Sequence, residues 1–357
     1  MGLSSRYTVR KEATPALLDL LTQTTLGTNG ARYKHLDTAT RIHEADNPIF
    51  ISLERDGKVQ GNLTLCNRGR QWYVRYFAFA NQKQASKNVN RVHKSNSRLK
   101  MEMASFFDET FDGKLGESPD AFYAYIDPAN DRSKWMSEQF GFRTEAQLIS
   151  QSFSRTKPRM QSPVRLLEDK QVISEHLDKI EKTHAYFVRT HAERGPFYAY
   201  YDESGKVLGF AKITRANWVI ERLPGFLGGL FTRLITVTPG IRRIVKPKNH
   251  QFLVPESIWV EDNDPDVLSS LLEGILAHES RNMMLWFVDR REPLWRESRQ
   301  YIDWGLFHKM TPQPIVDVVV MRKNPLKMDE LRSRPIFVAG WDIRSEERRV
   351  GEEGLRP

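Results

Sequence analysis

The side chains of this 357-residue chain that could do chemistry are, before any others, its cations. From Gly57 to Met101 there are ten Lys or Arg and no Asp or Glu. From Ser204 to Pro255 there are nine, against the single acid Glu221. Each tract creates a local field that attracts anions. A solvated charge run is the ordinary reading of one basic stretch, and two in corresponding places carry more weight. Four carboxylates follow the second tract in Glu261-Asp-Asn-Asp-Pro-Asp266. The nine His, among them His93 and His308, have no metal-ligand spacing, so no metal is expected. Cys66 stands mid-strand with no motif around it and reads as core.

The elements that must position these groups occur twice. Asn47–Arg55 and Lys58–Leu65 flank Asp56-Gly57 as a hairpin, and Phe197–Tyr201 and Lys206–Ile213 flank Ser204-Gly205 in the same way, each with Gly-Lys-Val-x-Gly. Near the end of each copy come a buried strand, an Asp, an amphipathic helix and an aromatic-Gly-apolar turn. These are Phe122–Asp127, Asp131–Gln139 and Phe140-Gly141-Phe142 in the first copy. In the second they are Met283–Asp289, Pro293–Ile302 and Trp304-Gly305-Leu306. Between the landmarks each copy has a strand and a helix. Gln71–Phe79 precedes a helix from about Ser97, and Phe252–Val260 precedes one that Asp264 caps, with Pro265 at its first position. Pro255 points to a bulge. The second copy is longer, and the extra residues fall at 217–250. The expected domains are 1–156 and 165–323, with an extension at 324–343 and a polar, unpatterned tail at 344–357.

This order of elements resembles the GNAT N-acetyltransferase superfamily. The segment Asn130-Asp-Arg-Ser-Lys-Trp-Met-Ser137-Glu-Gln-Phe-Gly141-Phe142 is similar to that family's late helix. The resemblance implies an α/β protein of two tandem GNAT-like domains, each a mixed, mostly antiparallel central sheet flanked by helices. It also implies an acyl-CoA donor, acetyl or longer, held where two central strands splay apart. The backbone at Phe77 and Phe79 of the fourth strand would pair with the pantetheine arm, and a helix N-terminus would take the diphosphate. The family's Gly-rich phosphate loop is missing from both copies. Lys94, Ser95, Asn96, Ser97 and Arg98 stand in its place in the first copy, and the acidic run 261–266, which repels a diphosphate, in the second.

The late-helix positions divide between the copies. Asn130 stands where the family contacts pantetheine, while Ser137 replaces the Tyr that protonates the departing thiolate. In the second copy Tyr301 takes that Tyr position, as an acid or as a packing residue beside Trp304. Glu256 could be a general base toward an amine, or simply an exposed or capping Glu. The expected reaction is N-acyl transfer from acyl-CoA, or from an acyl carrier protein, to a small-molecule amine by direct attack. Two alternatives stay open: an aminoacyl-tRNA-dependent peptidyl transferase, and a non-catalytic duplicate that binds an anion or a protein. No RNA-binding motif is present, so nucleic acid is not an expected partner. With 39% hydrophobic and 28% charged residues, a single cysteine and neither a long apolar run nor a signal-like N-terminus, a cytoplasmic chain is expected. Acceptor identity, acyl length and oligomeric state are not encoded in any motif.

Overall fold

The computed structural model describes residues 7–22, 32–36, 38–43, 45, 47–55, 58–79, 98–222, 240–311, 313–324, 333–340 and 342. The strands are β1 (Tyr7–Arg10), β2 (Arg32–His35), β3 (Pro48–Arg55), β4 (Lys58–Arg68), β5 (Gln71–Phe79), β6 (Ala121–Ile126), β7 (Arg143–Ser154), β8 (Val164–Leu167), β9 (Phe197–Tyr201), β10 (Val207–Arg222), β11 (His250–Val260), β12 (Met283–Asp289) and β13 (Ile315–Arg322). The helices are α1 (Pro15–Thr22), α2 (Thr38–His43), α3 (Arg98–Phe111), α4 (Asp131–Gln139), α5 (Lys170–Thr183), α6 (Arg189–Ala192), α7 (Ile241–Ile244), α8 (Pro265–His278), α9 (Pro293–Ser298) and α10 (Leu306–Met310).

The chain divides into two compact units that do not coincide with its two contiguous halves. One is built on Met1–Glu145 with Asp317–Lys327, the other on Ala146–Val316 with Met328–Arg344. In the first, the strand order is β1-β3-β4-β5-β6-β13; in the second it is β8-β9-β10-β11-β12-β7. Each sheet is antiparallel except at one parallel pair, β5–β6 or β11–β12. The last strand of each sheet is the one expected in the other copy: β13 pairs with β6 from Asp317↔Ile126 to Arg322↔Ala121, and β7 with β12 from Met283↔Ser154 to Asp289↔Leu148. These strands also fill the cores. Val319 and Met321 pack with Trp72, Phe106, Phe107 and Phe122, while Ile149 and Phe153 pack with Leu268, Leu272, Ile275 and Trp304.

The local elements arise from nearby residues. Asp264 accepts from the Asp266 and Val267 amides at the start of α8, with Pro265 just inside, and Leu268, Leu271, Leu272, Ile275 and Leu276 are buried. Gly141 and Gly305 both have positive φ, +92 and +90 degrees, the first just past the end of α4 and the second at the N-cap of α10. They differ in the element that comes next. Gly141 leads almost directly into β7, whereas α10 intervenes between Gly305 and β13.

Candidate active site

A bulge at the same place in both fourth strands sets the geometry. In the first unit the ladder steps from Asn62↔Ala78 to Thr64↔Arg75, leaving two β5 residues opposite Leu63. In the second it steps from Phe210↔Trp259 to Lys212↔Glu256. Gly61 and Gly209 are 148 apart, but Arg75 and Glu256, which occupy equivalent ladder positions, are 181 apart, so the insertion lies between them. The disturbance near Pro255 falls at Ser257, whose φ is +51 degrees. A bulge bends its strand and leaves an amide out of the ladder.

The parallel neighbours part before the chain reaches the bulge. β5 and β6 are paired only from Gln71↔Ala121 to Tyr73↔Tyr123. Past that point lies a narrow cleft of about 50 Å³, with Val74 and Arg75 on one side, Ala124, Tyr125 and Ile126 on the other, and Ser133, Met136 and Ser137 of α4 above. Phe107, Phe140 and Phe142 make its depth apolar. Arg75 is buried at 3% exposure, with its guanidinium 5.7 Å from the Tyr73 ring centroid. Asn130 caps α4 by accepting from the Ser133 amide at 3.2 Å, and Ser137 donates to the Lys134 carbonyl at 2.8 Å.

In the second unit β11 and β12 are paired only at Leu253↔Met284, and the gap beyond is bridged by the chain itself. The Ile336 amide donates to Asp289 Oδ2 at the end of β12, and the Gly340 amide to Glu256 Oε2 on β11, both at 2.9 Å. Ile336, Phe337, Val338 and Ala339 are buried, and Phe337 packs edge-on against Phe187 at 4.8 Å. A Cβ on Gly340 would stand 2.7 Å from Glu256 Oε1, so a larger residue here would push the carboxylate aside.

The expected site residues are therefore spread over both units. Ser137 lines the first unit's cleft, and Asn130 begins the helix that covers it. Phe77 falls at the β5 bulge, and Phe79 pairs with Gly61. Arg98 is the first residue of α3, with its side chain outside the described residues, as are Lys94, Ser95, Asn96 and Ser97. Glu256 is buried with Lys212 Nζ at 3.1 Å and accepts from Thr214 Oγ1 at 2.5 Å; Lys212 also donates to the His191 carbonyl. Tyr301 is 77% exposed in the turn after α9, so it and Glu256 do not share a site. Glu261 pairs with Lys206 at 2.6 Å and Asp264 caps α8, which places carboxylates where the fold would present anion-binding amides. Arg75 is the residue that reading the sequence missed. Its signal was a lone cation in the aromatic run Gln-Trp-Tyr-Val-Arg-Tyr-Phe.

No family model and no curated protein matches the sequence. Solved structures do match. Saccharomyces cerevisiae N-myristoyltransferase with bound myristoyl-CoA is 9% identical over 95% of this chain and 90% of its own, with a TM-score of 0.51. A tandem GNAT protein from the clavulanic acid biosynthesis pathway is 11% identical over 89% of this chain and 99% of its own, with a TM-score of 0.50. With the doubled sheet order, the paired bulges and the splayed parallel strands, these likenesses give the chain its place as a protein of the GNAT fold in tandem duplicate.

Proposed function

We propose that this protein is an N-acyltransferase that takes an acyl group from a coenzyme A thioester and gives it to an amine. The observation that carries the reading is the cleft between β5 and β6, apolar in its depth and covered by α4, while the equivalent gap in the second unit is bridged by residues 336–340. The N-myristoyltransferase of similar fold holds myristoyl-CoA, which supports a thioester donor of this class. In this reading the pantetheine arm lies along β5 at Phe77 and Phe79, beside Asn130. The diphosphate goes to Lys94, Ser95, Asn96, Ser97 and Arg98.

The amine lone pair forms the new C–N bond as the carbonyl π pair moves to oxygen. An amide freed at the bulge is the kind of fixed donor that stabilises such an oxyanion. Collapse breaks the C–S bond, and the thiolate receives a proton as the new amide nitrogen loses one. In this reading Ser137, which lines the cleft, turns its hydroxyl from the Lys134 carbonyl to donate to the departing sulfur. Glu256 serves as the counter-ion of Lys212 rather than as a base, and Tyr301 as a surface residue of the second unit.

Calorimetry of the full chain with acetyl-CoA, longer acyl-CoAs and an acyl carrier protein tests this. One acyl-CoA site per chain is expected, abolished by Ala124→Trp, which fills the cleft, with an unchanged far-ultraviolet spectrum. Binding that survives Ala124→Trp, or no binding of any thioester, would overturn the proposal. Carrier-protein binding alone would replace coenzyme A as the donor.

A further inference from the structure

The second basic tract builds a site of its own, away from the cleft in the first unit. α7 and the turn after it are anchored by Ile244 and Val245, which are 3% and 1% exposed, and the turn closes by a 3.0 Å bond from the Asn249 amide to the Lys246 carbonyl. A further bond, from the Ile220 amide to the Pro247 carbonyl at 2.7 Å, ties that turn to β10. Apolar anchors inward and a fixed turn leave Arg243, Lys246 and Lys248 exposed together. Arg281, from the turn between α8 and β12, joins them around a pocket of about 600 Å³ whose lining contains no Asp or Glu.

The charges of this pocket are not already matched. Among the described residues none of the four cations pairs with a carboxylate. Glu279 is near Arg281, but its own charge is taken by Arg215, which grips both its oxygens at 2.7 and 3.0 Å, and by the Tyr198 hydroxyl at 2.8 Å. The wall also contains His250, 2% exposed, whose Nε2 has no hydrogen-bond partner. A buried polar atom without a partner costs free energy unless something supplies one. Four cations held around one volume repel each other, and a multiply charged anion between them relieves that repulsion. Arg supplies a planar fork and Lys a point charge, the combination that suits phosphate oxygens better than a single carboxylate.

We propose that this pocket binds a phosphate ester through Arg243, Lys246, Lys248 and Arg281. The phosphate belongs either to a small soluble ligand or to the headgroup of an anionic lipid. The proposal does not depend on the acyl-transfer reading.

The test uses the full chain, pyrophosphate as the soluble probe, and vesicles of phosphatidylglycerol or phosphatidylcholine. Saturable 1:1 pyrophosphate binding is expected in a Lys94→Gln/Arg98→Gln background, which removes the diphosphate site proposed for the first unit, and is weakened at least tenfold when Arg243→Gln/Lys246→Gln/Arg281→Gln is added. Lys11→Gln/Lys170→Gln/Lys182→Gln, which removes the same charge from exposed positions elsewhere, should change it less than twofold. Circular dichroism melts check that both variants fold. Pyrophosphate binding without vesicle capture identifies a soluble ligand. Capture by phosphatidylglycerol but not phosphatidylcholine, lost in the pocket variant and displaced by pyrophosphate, identifies a lipid headgroup. Equal behaviour of the two triple variants, or binding of neither probe by the native chain, would overturn the site.

Discussion

Two glycines that look alike in the sequence are required for different reasons. Gly305 has φ +90 and ψ −178 degrees, a region closed to side chains, and a Cβ there would stand 2.0 Å from the Ser154 carbonyl oxygen. Gly141 has the same sign of φ, yet its nearest neighbour to a Cβ is Met321 Sδ at 3.9 Å. Gly305→Ala should therefore cost at least about 3 kcal/mol in urea unfolding, and Gly141→Ala only the backbone strain of about 1–2 kcal/mol. Equal losses would refute the distinction. His250 gives the residue scale a pH dependence. Burial, and then the nearby Lys246, push its pKa down from the ordinary 6.5 to about 4. A lowered folded-state value means the unfolded chain binds the proton first. The stability tied to the neutral ring is thus whole above about pH 6.5 and is lost as pH falls toward 4, to a total of about 3 kcal/mol. His250→Gln should flatten the acid limb of stability against pH across that window. Parallel limbs for the two proteins would show that the ring does not titrate in the fold as described.

Glu256 connects elements rather than completing a reaction in the second unit. Its carboxylate holds Lys212 and Thr214 of β10 and the Gly340 amide of the bridging segment, so one side chain fastens β11 both to β10 and to the segment that crosses the gap between β11 and β12. Glu256→Ala strands the Lys212 ammonium at 0% exposure with the His191 carbonyl, and should cost about 3–5 kcal/mol. Lys212→Met/Glu256→Leu, which removes both charges, should recover most of that; a double variant no better than the single one would show that the pair contributes more than mutual neutralisation. This role was out of reach from sequence because a bulge decides which face a strand residue takes, and the bulge is a relation between two strands. The legible features were local ones. The β5, β9 and β12 spans, the Asp264 cap with Pro265, the helix Asp131–Gln139 and the paired hairpins depend on neighbours within a few residues, and the periodicity contains them. The bridging segment 336–340 and α10 could not be read in this way. The first meets partners 47 and 84 positions away, and the second sits where the first copy has no counterpart.

At the scale of the molecule, the repeat in the sequence and the repeat in space are offset by one strand. Residues 1–156 end with β7, whose partner is β12, and lack β13, whose partner is β6. Expressed alone, this half would leave the β6 edge open and remove Val319 and Met321 from a core that includes Trp72, Phe107 and Phe122. Its own β7 would carry Ile149 and Phe153 with no core to enter. An open apolar edge is a template for aggregation, and the lost burial of two large side chains at about 1.5–3 kcal/mol each is a large part of a domain's net stability. The fragment 1–156 should therefore be aggregated or molten, with weak near-ultraviolet dichroism. A shorter piece ending at residue 145, joined by a flexible linker to Asp317–Lys327, should unfold cooperatively because it contains every strand of its sheet. If 1–156 alone gives a sharp, concentration-independent transition and the rejoined piece does not, the strand exchange is not what completes the fold. The expected result would mean that neither copy can form its sheet without the other's last strand, so any donor site in the first unit depends on residues beyond 316.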